Sequence, residues 1–117
     1  MPTLTSEFFY APGYKTQCIS LNAQAAEVPQ GTIVAVKSSD LDGTFDVIGA
    51  SSGDYDKPYG VLLKAAPINA DPQAVDVIVI GELFYEFVNG VYKAANSDVD
   101  LTAEQVIALR DIGIILK

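Results

Sequence analysis

The most regular hydrophobic pattern in the chain is VDVIVIGELFYEF, from residue 75 to residue 87. Valines occupy the odd positions from 75 to 79, and Asp76 is followed by isoleucines at 78 and 80. Alternation of this kind predicts a β-strand, and because Asp76 is the only polar residue on its face, the strand is expected to be buried on both sides. Asn89-Gly90 then predicts a tight turn into a further strand at 91–94.

Gly81 interrupts this pattern at its centre. A glycine inside a strand commonly marks a bulge or bend, because it has no side chain to pack. We therefore predict a structural bend at Gly81 that re-aims Leu83, Phe84 and Tyr85, and no ligand-binding role for the glycine.

Several shorter elements follow from turn and capping signals. A strand is predicted at 32–37, a hairpin through Asp42-Gly43 into the apolar residues 45–48, and a strand at 60–65. One helix is predicted to begin after Thr102, which can form a capping box with Gln105, and to end at Gly113. The closing IILK predicts a last strand.

The first 20 residues contain four aromatic residues, two prolines and a glycine without a strand or helix period. They are interpreted as an extended arm, with one domain at 21–117. Because the entropy lost on ordering nearly cancels the gain from aromatic burial, we expect strand addition to a partner to order the arm. Deletion of residues 1–14 should then leave a folded domain. The fold class is mainly β, a small single-domain sandwich or barrel with one short C-terminal helix.

Composition narrows the function classes. The 117 residues suit one domain, and with 50% apolar but only 19% charged residues some surface should be covered by partners, so an oligomer is favoured. A net charge of −8 argues against binding to nucleic acid. No apolar run is long enough for a membrane span and MPTLTSEFF lacks signal-peptide features, so a soluble protein made in the cytoplasm is expected.

Candidate chemistry is sparse. The chain has no histidine and its acids are scattered through turns, so we predict no catalytic residues, no cofactor and no enzyme. Asp40, Asp42 and Asp46 are the best calcium candidates, but they lack EF-hand spacing and a closing glutamate, so a solvated turn is expected. Lys57 lies in SSGDYDKPYG, which is expected to be a flexible connection, not a phosphate site. Cys18 is expected to be a small buried or half-buried hydrophobic residue.

The order of these features resembles the head decoration, or capsid cement, proteins of tailed bacteriophages of the lambda type. The resemblance is carried by YGVLL at 59–63, VIVIGEL at 77–83 and LRDIGIILK at 109–117, in that order after an extended arm. It implies a β-tulip type domain that forms a homotrimer and binds the major capsid protein at three-fold and quasi-three-fold sites of the expanded head. Such a protein stabilises the virion exterior against the pressure of packaged DNA.

The resemblance also implies that the arm pairs with capsid elements. The residues that correspond to it are Thr3, Leu4, Thr5, Phe8, Phe9, Tyr10 and Tyr14. The arm departs from the family pattern because SEFFYAPGYKT is more aromatic than expected. The alternative is a phage or bacterial carbohydrate- or host-surface-binding β module, in which Tyr10, Tyr14 and Tyr55 would stack on sugars.

Overall fold

The computed structural model describes residues 8–37, 44–49 and 55–117. Their elements, in chain order, are β1 (Phe9–Leu21), β2 (Ile33–Lys37), β3 (Asp46–Val47), β4 (Tyr55–Leu62), β5 (Gln73–Leu83), α1 (Tyr85–Ala95), α2 (Ala103–Ile112) and β6 (Ile114–Leu116). The prediction of a small, mainly β domain with a C-terminal helix is confirmed. Among the described residues, no helix is long and apolar enough to cross a membrane.

The strands form one sheet in the order β1-β5-β4-β2-β3, with every neighbouring pair antiparallel. The short β6 joins β5 in parallel. Asn22 just after β1 donates its backbone N–H to the carbonyl of Phe45 just before β3, at 2.9 Å. This contact joins the first and last strands of the sheet order at one end.

Two hydrophobic clusters lie on opposite faces of the sheet. The helix-side cluster includes Ile78 of β5 together with Val88 of α1 and Leu109 of α2. The second cluster includes Val77 of β5 and Leu21 of β1. Since the adjacent residues Val77 and Ile78 are both fully buried, the prediction of a strand covered on both faces is confirmed for the centre of β5.

The last helix and strand agree with the sequence signals. The Thr102 side chain accepts a hydrogen bond from the Gln105 backbone N–H, and the Gln105 side chain accepts one from the Thr102 N–H. Gly113 ends α2 with a φ of 109°, a left-handed conformation that favours glycine. The predicted capping box, glycine end and final strand are therefore confirmed.

The structure differs most from the sequence-based prediction in the region after Leu83. The predicted continuation of the strand to residue 87, the turn at Asn89-Gly90 and the strand at 91–94 are wrong, because Tyr85–Ala95 is a helix. Tyr85, Val88 and Tyr92 are spaced to lie on one helical face and all contact the helix-side cluster. Burial of this face against the sheet outweighs the local turn preference of Asn89-Gly90.

The strands preceding β5 are partly as predicted. β2 occupies the predicted position and pairs antiparallel with β3, as expected for the hairpin, whereas Asp42-Gly43 lies outside the described residues. β4 is displaced: it begins at Tyr55 and ends at Leu62, so the connection expected around Lys57 is strand from residue 55 onward. Pro58 fits because the β2–β4 register shifts beside it, where a ladder hydrogen bond is not needed.

The N-terminal segment also differs from the expected arm. Residues 9–21 are extended but belong to the sheet, paired with β5 from Phe9 to Leu21, so the boundary drawn between residues 20 and 21 falls within β1. The pairing was hidden in the sequence because the β1–β5 register is irregular between Phe9 and Tyr14. Ile19 and Leu21 anchor the end of β1 in the second cluster.

Candidate functional site

The most exposed part of the sheet is the middle of β1. All residues from 13 to 18 are exposed, although they pair with β5 along one edge. β1 is the first strand in the sheet order, and within the described residues its other edge is paired only at its C-terminal end, where Leu21 forms a bridge with Phe45. An exposed edge strand presents backbone N–H and C=O groups to which another chain can bind. This strand and the aromatic residues at its start form the candidate interaction surface.

The structure separates the predicted arm residues into three groups. Thr3, Leu4 and Thr5 lie outside the described residues. Phe8 is fully buried in the helix-side cluster, and Phe9 is half-buried against it. The exposed members are Tyr10 and Tyr14, whose side chains are 51% and 44% exposed.

The burial of Phe8 corrects the expectation for deletion of residues 1–14. Its ring lies 4.9 Å from the ring of Phe9 and 4.9 Å from that of Phe87 in α1, measured between centroids. Removing a buried phenylalanine from a core costs about 3–5 kcal/mol. We now expect this deletion to destabilise the domain.

The exposed tyrosines are held by neighbouring rings. Tyr14 stacks on Phe9 with centroids 4.4 Å apart, and Tyr10 meets Phe84 edge to face at 5.3 Å. The ammonium of Lys117 lies 5.2 Å from the centroid of Tyr10 and 3.4 Å from a carboxylate oxygen of Glu82. Tyr10 and Tyr14 are therefore positioned by the fold, with one side of each ring available to a partner.

Ile80 belongs to this surface and was not identified from the sequence. It pairs with Lys15 and its side chain is 47% exposed. Strict alternation placed it on a buried face. The register slips by one residue on β5 between the pairs Lys15–Ile80 and Thr16–Ile78, so simple alternation does not describe this end of the strand. No signal in the sequence other than Gly81 marks that irregularity.

Gly81 pairs with Tyr14 of β1 and with Ile114 of β6. Register irregularities lie on both sides of it, and Ile78 and Leu83, five positions apart, both contact the helix-side cluster. Gly81 does not have a positive φ, in contrast to Gly31, Gly49 and Gly113. A methyl carbon added at Gly81 would lie 3.1 Å from Cβ of Tyr14, so close packing against β1 constrains this position.

Cys18 is exposed on β1, so the prediction that it is buried or half-buried is wrong. It pairs with Asp76 of β5, which is also exposed. Cys18 belongs to the exposed segment 13–18 of β1, and the exposure of a cysteine cannot be read from its identity.

Of the three candidate calcium ligands, only Asp46 lies within the described residues. Asp40 and Asp42 lie outside the described residues. Asp46 is buried, and its carboxylate accepts hydrogen bonds from Gln24 Nε2 at 2.8 Å and from the Val47 backbone N–H at 2.7 Å. These bonds give Asp46 a structural role between β3 and the segment after β1. Within the described residues, no group of three or more potential metal-ligating side chains is found.

The carboxyl group of Asp100 has a shifted pKa. A hydrogen bond from the Asn89 side chain, together with the charge of Lys93, holds the pKa of Asp100 below its usual value. The Asn89 amide nitrogen lies 3.0 Å from Asp100 Oδ1, and its amide oxygen accepts the Leu101 backbone N–H at 2.8 Å. This arrangement connects α1 to the segment before α2, far in sequence from β1, and is structural.

Comparison with known proteins adds no relative: no protein-family model matches the chain, and no curated protein matches it. The function must therefore be inferred from the residues and the surface of the chain itself.

Proposed function

We propose that this protein is a non-enzymatic capsid decoration protein of a tailed bacteriophage. In this proposal it trimerises on the expanded head at three-fold and quasi-three-fold sites, contacts the major capsid protein and stabilises the head against the pressure of packaged DNA. Its place is the exterior of the virion. The sequence resemblance in YGVLL, VIVIGEL and LRDIGIILK suggests the family.

The observation that carries the proposal is the exposed strand β1 with Tyr10 and Tyr14 at its start. Strand edges and preordered tyrosines are common elements of protein-binding surfaces, because they supply backbone hydrogen bonds and large contact areas. The two rings are already packed on Phe84 and Phe9, so their ordering costs little on binding.

The charge of the chain is compatible with this role. A net charge of −8 keeps decorated particles dispersed by mutual repulsion. Repetition of the same weak contact over many sites of a particle accumulates into a large stabilisation. A small domain with one modest contact surface therefore suffices for the proposed function.

The test is to mix the purified protein with expanded heads that lack it and to measure occupancy and the temperature at which the heads break. We expect saturable binding and a higher breaking temperature. Tyr10→Ala and Tyr14→Ala should each weaken binding, whereas the matched variant Ile68→Ala, at a side chain 65% exposed elsewhere, should bind like wild type. Absence of binding to any head surface would refute the proposal.

The N-terminal contribution is tested by a truncation that keeps the buried residue Phe8. A protein lacking residues 1–7 keeps Phe8, whose full burial makes it part of the domain. We expect this truncated protein to fold and to bind heads less tightly. Unchanged occupancy would show that Thr3, Leu4 and Thr5 make no capsid contact.

The alternative function is a carbohydrate- or host-surface-binding module, which the exposure of Tyr10 and Tyr14 also suits. Tyr55 does not fit this alternative, because it is only 4% exposed and its hydroxyl is 2.9 Å from the Asn22 amide nitrogen. A monomeric mass in solution together with strong hits on a glycan array would favour the module over the decoration protein.

A further inference from the structure

Asn89 and Gly90 form a dipeptide that is typical of a turn, yet both residues lie inside α1. Asn89 is the only asparagine of the chain that is followed by glycine, because Asn22, Asn69 and Asn96 precede alanine or serine. An asparagine before a glycine is the one most prone to deamidation, since glycine has no side chain to hinder closure of the ring through which that reaction passes. The dipeptide therefore carries a chemical reactivity that its helical structure must control.

Deamidation is a reaction of the chain with itself that water completes. The backbone nitrogen of Gly90 bonds to Cγ of Asn89, the bond from Cγ to Nδ2 breaks, and the amide proton of Gly90 leaves with that nitrogen as ammonia. Water then adds to either carbonyl of the five-membered ring and breaks the bond from that carbonyl to the ring nitrogen. The product at position 89 is an aspartate, or an isoaspartate whose backbone is lengthened by Cβ. The reaction needs no oxidant or reductant.

The folded helix α1 opposes this reaction at each group that takes part in it. Ring closure requires a backbone ψ at residue 89 outside the helical range, whereas α1 continues past this residue on both sides. The helical pattern also pairs the N–H of Gly90 with the carbonyl of Glu86. The side chain is held as well, because Asn89 Nδ2 donates to Asp100 Oδ1 at 3.0 Å and Asn89 Oδ1 accepts the Leu101 N–H at 2.8 Å. Deamidation at this position therefore requires α1 to open.

The product does not reproduce the contact that Asn89 makes. An aspartate at position 89 presents an oxygen where the amide nitrogen donated to Asp100, so two carboxylates face each other at hydrogen-bond distance. The ammonium of Lys93 lies 3.6 Å from Asp100 Oδ1, but its side chain is 41% exposed, so solvent screens the compensation that it gives. An isoaspartate also interrupts the hydrogen-bond ladder of α1. Both products weaken the contact between α1 and the segment before α2.

We propose that Asn89 is a site of spontaneous deamidation that is closed while α1 is folded, and that the product weakens the docking of α1 on the segment before α2. The reaction converts an opening of α1 into a permanent loss of stability. Because a reaction from the open state follows the population of that state, its rate in the native protein measures the opening of α1. This property belongs to the chain itself and is independent of the proposed capsid role.

Peptide mass spectrometry of the ageing protein tests the site. Two samples are kept in the same mildly alkaline buffer, one folded and one unfolded in guanidinium chloride. In the unfolded sample, Asn89 should deamidate faster than Asn22, Asn69 and Asn96. In the folded sample, Asn89 should react at least ~10-fold more slowly than in the unfolded one. A smaller difference between the samples, or faster deamidation of another asparagine in the unfolded chain, would overturn the proposal.

Gly90→Ala is the matched control for ring closure. A methyl carbon added at Gly90 meets nothing within 4 Å, and alanine forms helices more readily than glycine, so this variant should fold. In the unfolded sample its Asn89 should deamidate at a rate close to that of Asn22, which precedes alanine in the wild type. Deamidation of the unfolded variant as fast as that of the wild type would overturn the assignment of the reaction to the Asn89-Gly90 pair.

The effect of the product is tested with Asn89→Asp. This variant should melt below wild type, and adding Asp100→Asn, which removes the facing carboxylate, should recover part of the lost melting temperature. An Asn89→Asp protein that melts at the wild-type temperature would overturn the predicted loss of stability. If Asn89→Asp does not fold, the aged wild-type sample decides after the denaturant is diluted. Its refolded fraction should be depleted in chains deamidated at Asn89, and equal deamidation of the refolded and unfolded fractions would overturn the proposal.

Discussion

Three glycines in strands provide a graded test of how closely the sheet is packed. A methyl carbon added at Gly60 of β4 would lie 2.8 Å from the carbonyl oxygen of Ile78. One added at Gly81 of β5 would lie 3.1 Å from Cβ of Tyr14, whereas one added at Gly13 of β1 would meet nothing within 4 Å. None of the three has a positive φ. Substitution by alanine therefore adds no strain from a left-handed backbone at any of the three, and the difference between the variants reports crowding.

The expected magnitudes follow from these distances. At Gly60 the obstacle is backbone, which cannot rotate away, so Gly60→Ala should lower the free energy of unfolding by about 2–3 kcal/mol. At Gly81 a shift of Tyr14 by a few tenths of an ångström would make room for the added methyl group. The crowding there is partly offset by the ~0.4–1 kcal/mol that alanine contributes by restricting the unfolded chain. At Gly13 there is no crowding, so only the restriction of the unfolded chain applies. Gly13→Ala should therefore leave the free energy of unfolding unchanged or raise it slightly.

Urea and thermal unfolding of the three variants measure this order. For a domain of this size, 1 kcal/mol corresponds to roughly 4 °C in Tm, so Gly60→Ala should melt about 8–12 °C below wild type. Gly81→Val, with two further methyl groups directed at Tyr14 and Ile78, should cost about 1–3 kcal/mol. Equal stability of Gly60→Ala and Gly13→Ala would refute the close approach of β4 to β5. A Gly81→Val protein as stable as wild type would refute the contact with Tyr14.

Three predictions concern the helices. Asn89→Ala removes the hydrogen bonds to Asp100 and to the Leu101 N–H and should cost about 1–2 kcal/mol in urea unfolding; an unchanged midpoint would contradict this. Because the pKa of Asp100 is lowered in the fold, its stabilisation is present above the unfolded pKa and is lost as pH falls through the folded pKa. The Tm difference between wild type and Asp100→Asn should therefore shrink toward low pH, and a constant difference would exclude the linkage. Thr102→Ala should lower the free energy of unfolding by ~1 kcal/mol, whereas Thr102→Ser should keep it at the wild-type value. Equal stability of the two variants would argue against the capping box.

Prediction from the sequence failed where a local turn signal conflicts with the packing of the folded domain. Asn89-Gly90 is a strong turn signal, yet Asn89 lies in α1 and uses its side chain to bond Asp100 and Leu101. Its neighbour Val88 is fully buried against the sheet. The free energy of burying this helical face depends on residues far away in the chain, so no local window of the sequence contains it.

The candidate surface was found only in part for the same reason. The aromatic residues from 8 to 14 were identified together, but their identity does not separate buried Phe8 from exposed Tyr10 and Tyr14. That separation depends on Phe87 and Phe84, which follow β5. The register irregularity that exposes Ile80 likewise arises only when β1 and β5 are paired.

The sequence alone determined the mainly β class, the two-sided burial at the centre of β5, the start of α2 at Thr102 and its end at Gly113. These features depend on the alternation of apolar residues and on short-range capping bonds, which lie within a few residues of one another. The tertiary structure alone decided that β1 belongs to the sheet and that its residues 13–18 are exposed. Strand pairing joins residues about 60 positions apart, so which edge stays open is a property of the assembled sheet and not of any segment of the chain.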